Sequence, residues 1–151
     1  MDETGLRVSE VGPEAAEDWT SVHWSSFKGT PYKGDDKARF AARWAQMMTG
    51  PFADRAHSLI AHDGDDAPVA VTRVWSAGPG RPGLVEPMGV HRSHHGKGYG
   101  VAITLAGARA LQERGASSVV VVAEGSNPAA LATYRSAGFS GFGDVSDLKR
   151  P

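Results

Sequence analysis

The chain has no cysteine. That removes disulfides, thiolate metal ligands and a cysteine nucleophile together, and it fits a reducing compartment. A net charge of any size is also missing, since 16 Lys+Arg face 17 Asp+Glu and leave a formal charge of -1. No global field draws the chain to nucleic acid or to a membrane surface, so an anionic ligand needs a local concentration of charge or of backbone dipoles. Long apolar runs are absent as well. The longest, Val119 to Ala123, is far shorter than a bilayer span, and the acidic opening MDETGLRVSE has no apolar h-region. We therefore expect a cytoplasmic protein with neither nucleic acid nor membrane as partner. Repeats, low-complexity tracts and linkers are lacking too, and 151 residues suit one domain over 1–151.

What is present is a regular alternation of elements. A short strand is expected over Leu6 to Val8. The stretch GPEAAEDWTSVHWSSF has Pro13 at a first helical position and acidic residues in the first turn, with Trp19, Val22 and Phe27 sharing a face. A second helix, DDKARFAARWAQMMTGP, carries an Asp cap, a stripe of Phe40, Trp44, Met47 and Met48, and the stop signals Gly50 and Pro51. HSLIA, PVAVTRVW and GLVEPMGV, joined by polar or Gly/Pro-rich turns, predict three antiparallel strands. The helix GYGVAITLAGARALQERGA then leads to SVVVVA, whose apolar residues on both faces predict a strand buried in mid-sheet and reached by a parallel crossover. NPAALATYRSAG is a last helix with Asn127 as cap and Gly138 as stop, and a final strand or short hairpin follows from Phe139.

Three places invite chemistry. Gly96, Gly98 and Gly100 alternate between a strand and a helix start, so their N–H groups can converge on an anion beside His95 and Lys97. The spacing is neither that of a P-loop nor that of a dinucleotide fold. His91, His94 and His95 also allow a metal, but glycine follows them at once, no carboxylate set lies nearby, and a plain exposed loop explains them as well. Second, Asn127 and Tyr134 stand seven residues apart, two turns along one helix face. Asn127 serves as a helix cap in any case. Third, Pro87 cannot donate to a ladder, so VEPMGV should splay or bulge and leave backbone groups free for a long, thin ligand.

Taken together, MGVHRSHHGKGYGVAI followed by SNPAALATYRSAGF resembles the GNAT superfamily of acyl-CoA-dependent N-acyltransferases. Gly98 and Gly100 fill the glycines of its first signature, [QR]-x-x-G-x-[GA], and Asn127, Tyr134, Gly138 and Phe139 match its second. His95 stands where the family has glutamine or arginine. The resemblance implies a mixed, mostly antiparallel α/β sheet of six or seven strands with a central parallel pair splayed apart, flanked by four helices. It implies acetyl transfer from acetyl-CoA, without a metal, to a small-molecule or peptide amine in a monomer or homodimer. Met88 would offer a backbone N–H to the oxyanion, Val90 would bond the pantetheine arm, and the loop His95, Gly96, Lys97, Gly98, Tyr99 and Gly100 would hold the pyrophosphate. Asn127 would assist the arm, and Tyr134 would protonate the departing thiolate. Glu86 is the candidate base: strand alternation puts it beside Met88 and Val90 provided no bulge reverses it. A silent CoA-binding sensor or structural module is the alternative.

Overall fold

The computed structural model describes residues 4–141 and residue 143. Strands β1 (Arg7–Val11), β2 (Ala56–His62), β3 (Pro68–Trp75), β4 (Pro82–Val90) and β5 (Ser118–Val121) form a sheet in that order, antiparallel except for the β4/β5 pair. Helices α1 (Ala16–Phe27) and α2 (Gly34–Thr49) follow β1, α3 (Tyr99–Glu113) crosses from β4 to β5, and α4 (Pro128–Ser136) comes last. Pro13 opens a 3-10 turn, Pro13–Ala15, that leads into α1.

Strand alternation divides the core into two layers. Leu59 and Ala61 of β2 and Val74 of β3 pack with Ile103 and Leu111 of α3. Ile60 and Val71, from the same two strands, pack on the other face against Trp19 and Val22 of α1 and Trp44 of α2. In that second layer lies Arg73, 1% exposed, its guanidinium 5.3–5.7 Å from the rings of Trp19, Trp44 and Trp75. Burial pushes its pKa down. Its Nε donates to Ser58 Oγ at 3.1 Å and its Nη2 meets Met48 Sδ at 3.0 Å.

Several expectations need correction. Five strands stand among the described residues instead of six or seven. The closing hairpin falls mostly outside those residues, and Phe139, Ser140 and Gly141 are not in a strand. Among the described residues β5 stands at the edge of the sheet, and its valines are only partly buried. Val119 and Val121 of that run pack against the core layer under α3. Helix α2 begins at Gly34 with Lys33 at its cap position, so Asp35 and Asp36 sit in the first turn and favour the helix dipole instead of capping it. Phe27 and Met47 are half exposed.

Candidate functional site

The site begins with the interrupted strand β4. Its pairing with β5 runs only from Pro82↔Ser118 to Val85↔Val121, while its later residues Met88, Gly89 and Val90 stay paired to β3. The register slips between Thr72 and Val74, opposite Glu86 and Pro87. A side chain on Gly83 would strike Leu111 of α3, whereas one on Gly89 would strike Ser26 and Phe27 of α1. Two odd-numbered residues thus face opposite layers, so the bulge reverses the alternation. Unbroken alternation, the condition on which Glu86 would share a side with Met88 and Val90, therefore does not hold across this stretch.

The same register tells where the backbone of β4 points. His91 N–H donates to Val69 O at 2.9 Å, and hydrogen-bonded pairs alternate along an antiparallel ladder. Gly89 consequently bonds β3, while the N–H and C=O groups of Met88 and Val90 turn toward the side that β5 has left open. One of these is already engaged, because His95 Nε2 lies 3.0 Å from Val90 O. The histidine in place of the family's glutamine or arginine folds back onto the strand end and braces the loop.

Beyond that brace the chain makes two left-handed glycines, Gly96 (φ 78°) and Gly98 (φ 79°), and enters α3 with no side-chain cap. The first intrahelical bond shown there runs from Ala102 N–H to Gly98 O. The N–H groups ahead of it, at the positive end of the helix dipole, are free for an anion. Lys97 Nζ stands 5.9 Å from the Tyr99 ring and 3.4 Å from His94 Nδ1. Gly100 is required by crowding: a Cβ there would lie 3.0 Å from Thr133 Cγ2 and 3.5 Å from Val90 Cγ2. Strand β4, α3 and α4 converge at this point.

Helix α4 brings the other signature. Asn127 Oδ1 accepts from Ala130 N–H at 3.1 Å, the expected cap, and its amide nitrogen bonds no described residue. At the far end Gly138 has φ 94°, Gly138 N–H donates to Arg135 O and Phe139 N–H to Tyr134 O, each at 3.0 Å. This is a Schellman motif, completed by the contact of the Phe139 and Tyr134 rings at 6.2 Å. The Gly-Phe pair therefore fixes the helix turn that carries Tyr134. Tyr134 is buried, and its hydroxyl bonds no described residue. Burial raises its pKa, and the charge of Glu86 raises it further.

A search of protein families gives a consistent result: a profile described as the acetyltransferase (GNAT) family matches residues 16–139. The chain belongs to that family. A mycothiol acetyltransferase of Renibacterium salmoninarum is 32% identical over 126 residues, covering 81% of this chain and 36% of that protein. The chain thus spans about a third of that relative's length. A putative acetyltransferase from Agrobacterium tumefaciens shares the fold with a TM-score of 0.76 at 18% identity, covering 95% of this chain and 99% of that one. AAC(6')-Iy, solved with the bisubstrate analogue CoA-S-monomethyl-acetylneamine, has a TM-score of 0.74 at 16% identity, covering 97% and 98%.

Other sequence expectations fare differently in this GNAT chain. Among the described residues no three His, Asp or Glu side chains are placed to hold a metal ion. His91 Nδ1 instead meets Ser93 Oγ at 2.7 Å and caps a short 3-10 turn. Trp24 and Tyr32 pack with Phe40 between α1 and α2, and the Tyr32 hydroxyl bonds Thr20. Two contacts escaped sequence reasoning. Thr72 Oγ1 donates to Pro87 O at 2.8 Å, and Trp75 Nε1 donates to Glu86 O at 2.9 Å. Only the polar residues within an otherwise apolar β3 hinted at them.

Proposed function

We propose that this domain transfers an acetyl group from acetyl-CoA to the amine of a small molecule by direct attack. What supports this reading is the end of β4/β5 pairing at Val85↔Val121, which leaves the later part of β4 open beside the uncapped N-terminus of α3, with Tyr134 and Glu86 as the candidate groups there. The loop His95 to Gly100 and the helix start would hold the pyrophosphate, while Val90 and Asn127 would meet the pantetheine arm. The names of the relatives, which refer to mycothiol and to an aminoglycoside analogue, support a small-molecule acceptor.

An ammonium has no lone pair, so the acceptor must first lose a proton, and Glu86 would receive it directly or through one water. Attack makes an oxyanion that the Met88 N–H would stabilise. Collapse releases CoA thiolate, an anion of intrinsic pKa about 8–9 by analogy with cysteine. Tyr134, whose raised pKa keeps it protonated at neutral pH, would donate to it. The same burial that weakens the phenol as an acid makes the thiolate more basic, so the transfer remains matched.

The test measures CoA release over an amine panel, alongside acetyl-CoA binding by thermal shift. Acetyl-CoA at a hundred times its Kd should add about 2.7 kcal/mol of stability. Tyr134→Phe should retain that shift and lose about 10²–10⁴-fold in turnover. Unchanged turnover would remove Tyr134 from the acid role. Binding without turnover by the wild type, for any amine, would make the domain a silent CoA-binding module.

A further inference from the structure

We propose that Thr72 is a positioning residue for the acyl-transfer step: its hydroxyl aims the Met88 N–H at the reacting carbonyl. The inference rests on the acetyltransferase reading above and concerns a residue that touches neither the acyl group nor the acceptor.

The geometry starts from one peptide unit. Pro87 C=O and Met88 N–H belong to the same planar trans amide, so they point in opposite directions. Thr72 Oγ1 holds Pro87 O at 2.8 Å from the β3 side. Met88 N–H must then point away from β3, into the gap that β5 vacates after Val121. A regular ladder would enforce this orientation through paired backbone bonds. Here the ladder is interrupted, because the register slips between Thr72 and Val74 and leaves Arg73 with no partner on β4, while Pro87 has no N–H to give. The threonine hydroxyl takes the ladder's place.

Thr72 is itself held on every side. It is fully buried, its own C=O accepts from Trp19 Nε1 at 3.4 Å, and its methyl lies 3.3 Å from where a Cβ on Gly107 would stand. Helix α3 comes that close only because position 107 is glycine, and the contact fixes the threonine rotamer. One residue earlier on β4, Trp75 Nε1 holds Glu86 O at 2.9 Å. Two side chains of β3 thus pin the two consecutive carbonyls where the ladder fails, one on each side of Pro87. An oxyanion donor stabilises the transition state in proportion to its preorganisation, and a donor free to rotate loses much of that effect.

The experiment compares wild type, Thr72→Val and Thr72→Ser for kcat, KM of the acceptor and Kd of acetyl-CoA, with melting curves to confirm folding. Valine keeps the shape and removes the hydroxyl; serine keeps the hydroxyl and removes the methyl. Loss of a whole oxyanion donor costs about 10²–10³-fold, so loss of its aim should lower kcat in Thr72→Val by about tenfold or more. The Kd of acetyl-CoA should stay within about twofold, and Thr72→Ser should recover most of the rate. A merely structural threonine predicts equal losses in both variants, or parallel changes in kcat and Kd, and either result overturns the proposal. Should Thr72→Val not fold, Thr72→Cys, a weaker donor of similar size, must fall between serine and wild type on one side and inactivity on the other; full activity there refutes the role. A wild type that turns over no amine removes the acetyltransferase reading and this proposal with it, whereas an active wild type with an equally active Thr72→Val removes only this one.

Discussion

His23 should make the domain acid-sensitive. Its ring lies on α1 between Trp19 at 5.4 Å, Phe27 at 4.6 Å and Phe40 at 5.2 Å, and its Nδ1 is buried with no hydrogen-bond partner. Burial, then the nearby charges of Lys28 and Arg73, push its pKa from 6.5 down to about 4. The unfolded chain therefore binds a proton between these values that the folded chain refuses, so this contribution is fully present above about pH 6.5 and disappears as pH falls toward 4. Linkage puts the loss between pH 7 and pH 5 at about 2 kcal/mol, which for a domain of this size lowers Tm by roughly 4–8 °C. Urea or thermal melts at the two pH values should show that loss in the wild type. His23→Phe, which suits the aromatic neighbours, should show about 2 kcal/mol less of it, whatever the carboxylates contribute to both proteins. Equal losses in the two would refute the buried, neutral imidazole.

Three further perturbations probe the site. Gly138→Ala places a Cβ at φ 94° and should cost about 1 kcal/mol in denaturant melts; because the same turn seats Tyr134, kcat should fall more than acetyl-CoA affinity does. Gly100→Ala has an allowed backbone and gains helix propensity, yet its Cβ would press Thr133 Cγ2 at 3.0 Å. Calorimetric titration should show acetyl-CoA binding weakened by several-fold, and Thr133→Ser, which removes that methyl, should restore it. Glu86→Gln removes a charge that helps to raise the Tyr134 pKa, so a spectroscopic phenol titration should move toward lower pH, while kcat falls through loss of the base. An unmoved titration would separate the two residues.

Legibility in the sequence depended on whether a residue's task was local. Pro87 breaking a ladder, Gly98 opening a helix, Asn127 capping one and Gly138 ending it are all decided within a few residues, and the structure shows each. The face of Glu86 was not legible, because a one-residue slip against β3 reverses every later side chain and the sequence of β4 does not state where the slip falls. The partial exposure of the β5 valines was not legible for a related reason: what lies beyond a strand is a property of its neighbour. Arg73 shows the limit most clearly. Nothing in PVAVTRVW indicates that its guanidinium would be enclosed by Trp19, Trp44 and Trp75, drawn from α1, α2 and its own strand.

The charges at the opening suggest why its two candidate groups belong together. Under the proposed chemistry Glu86 starts as a carboxylate whose field, added to burial, holds the proton on Tyr134. That is useful before reaction, since an ionised phenol there could not serve as an acid. Once Glu86 has taken the acceptor's proton it is neutral, and its contribution to the Tyr134 pKa vanishes as the thiolate departs. The acid is strengthened by the event that creates the need for it. This ordering requires both groups within electrostatic reach but no hydrogen bond between them, because a direct bond would commit the tyrosine proton to the carboxylate. Under that reading Glu86 would act on Tyr134 through its charge, and no described residue bonds the tyrosine hydroxyl.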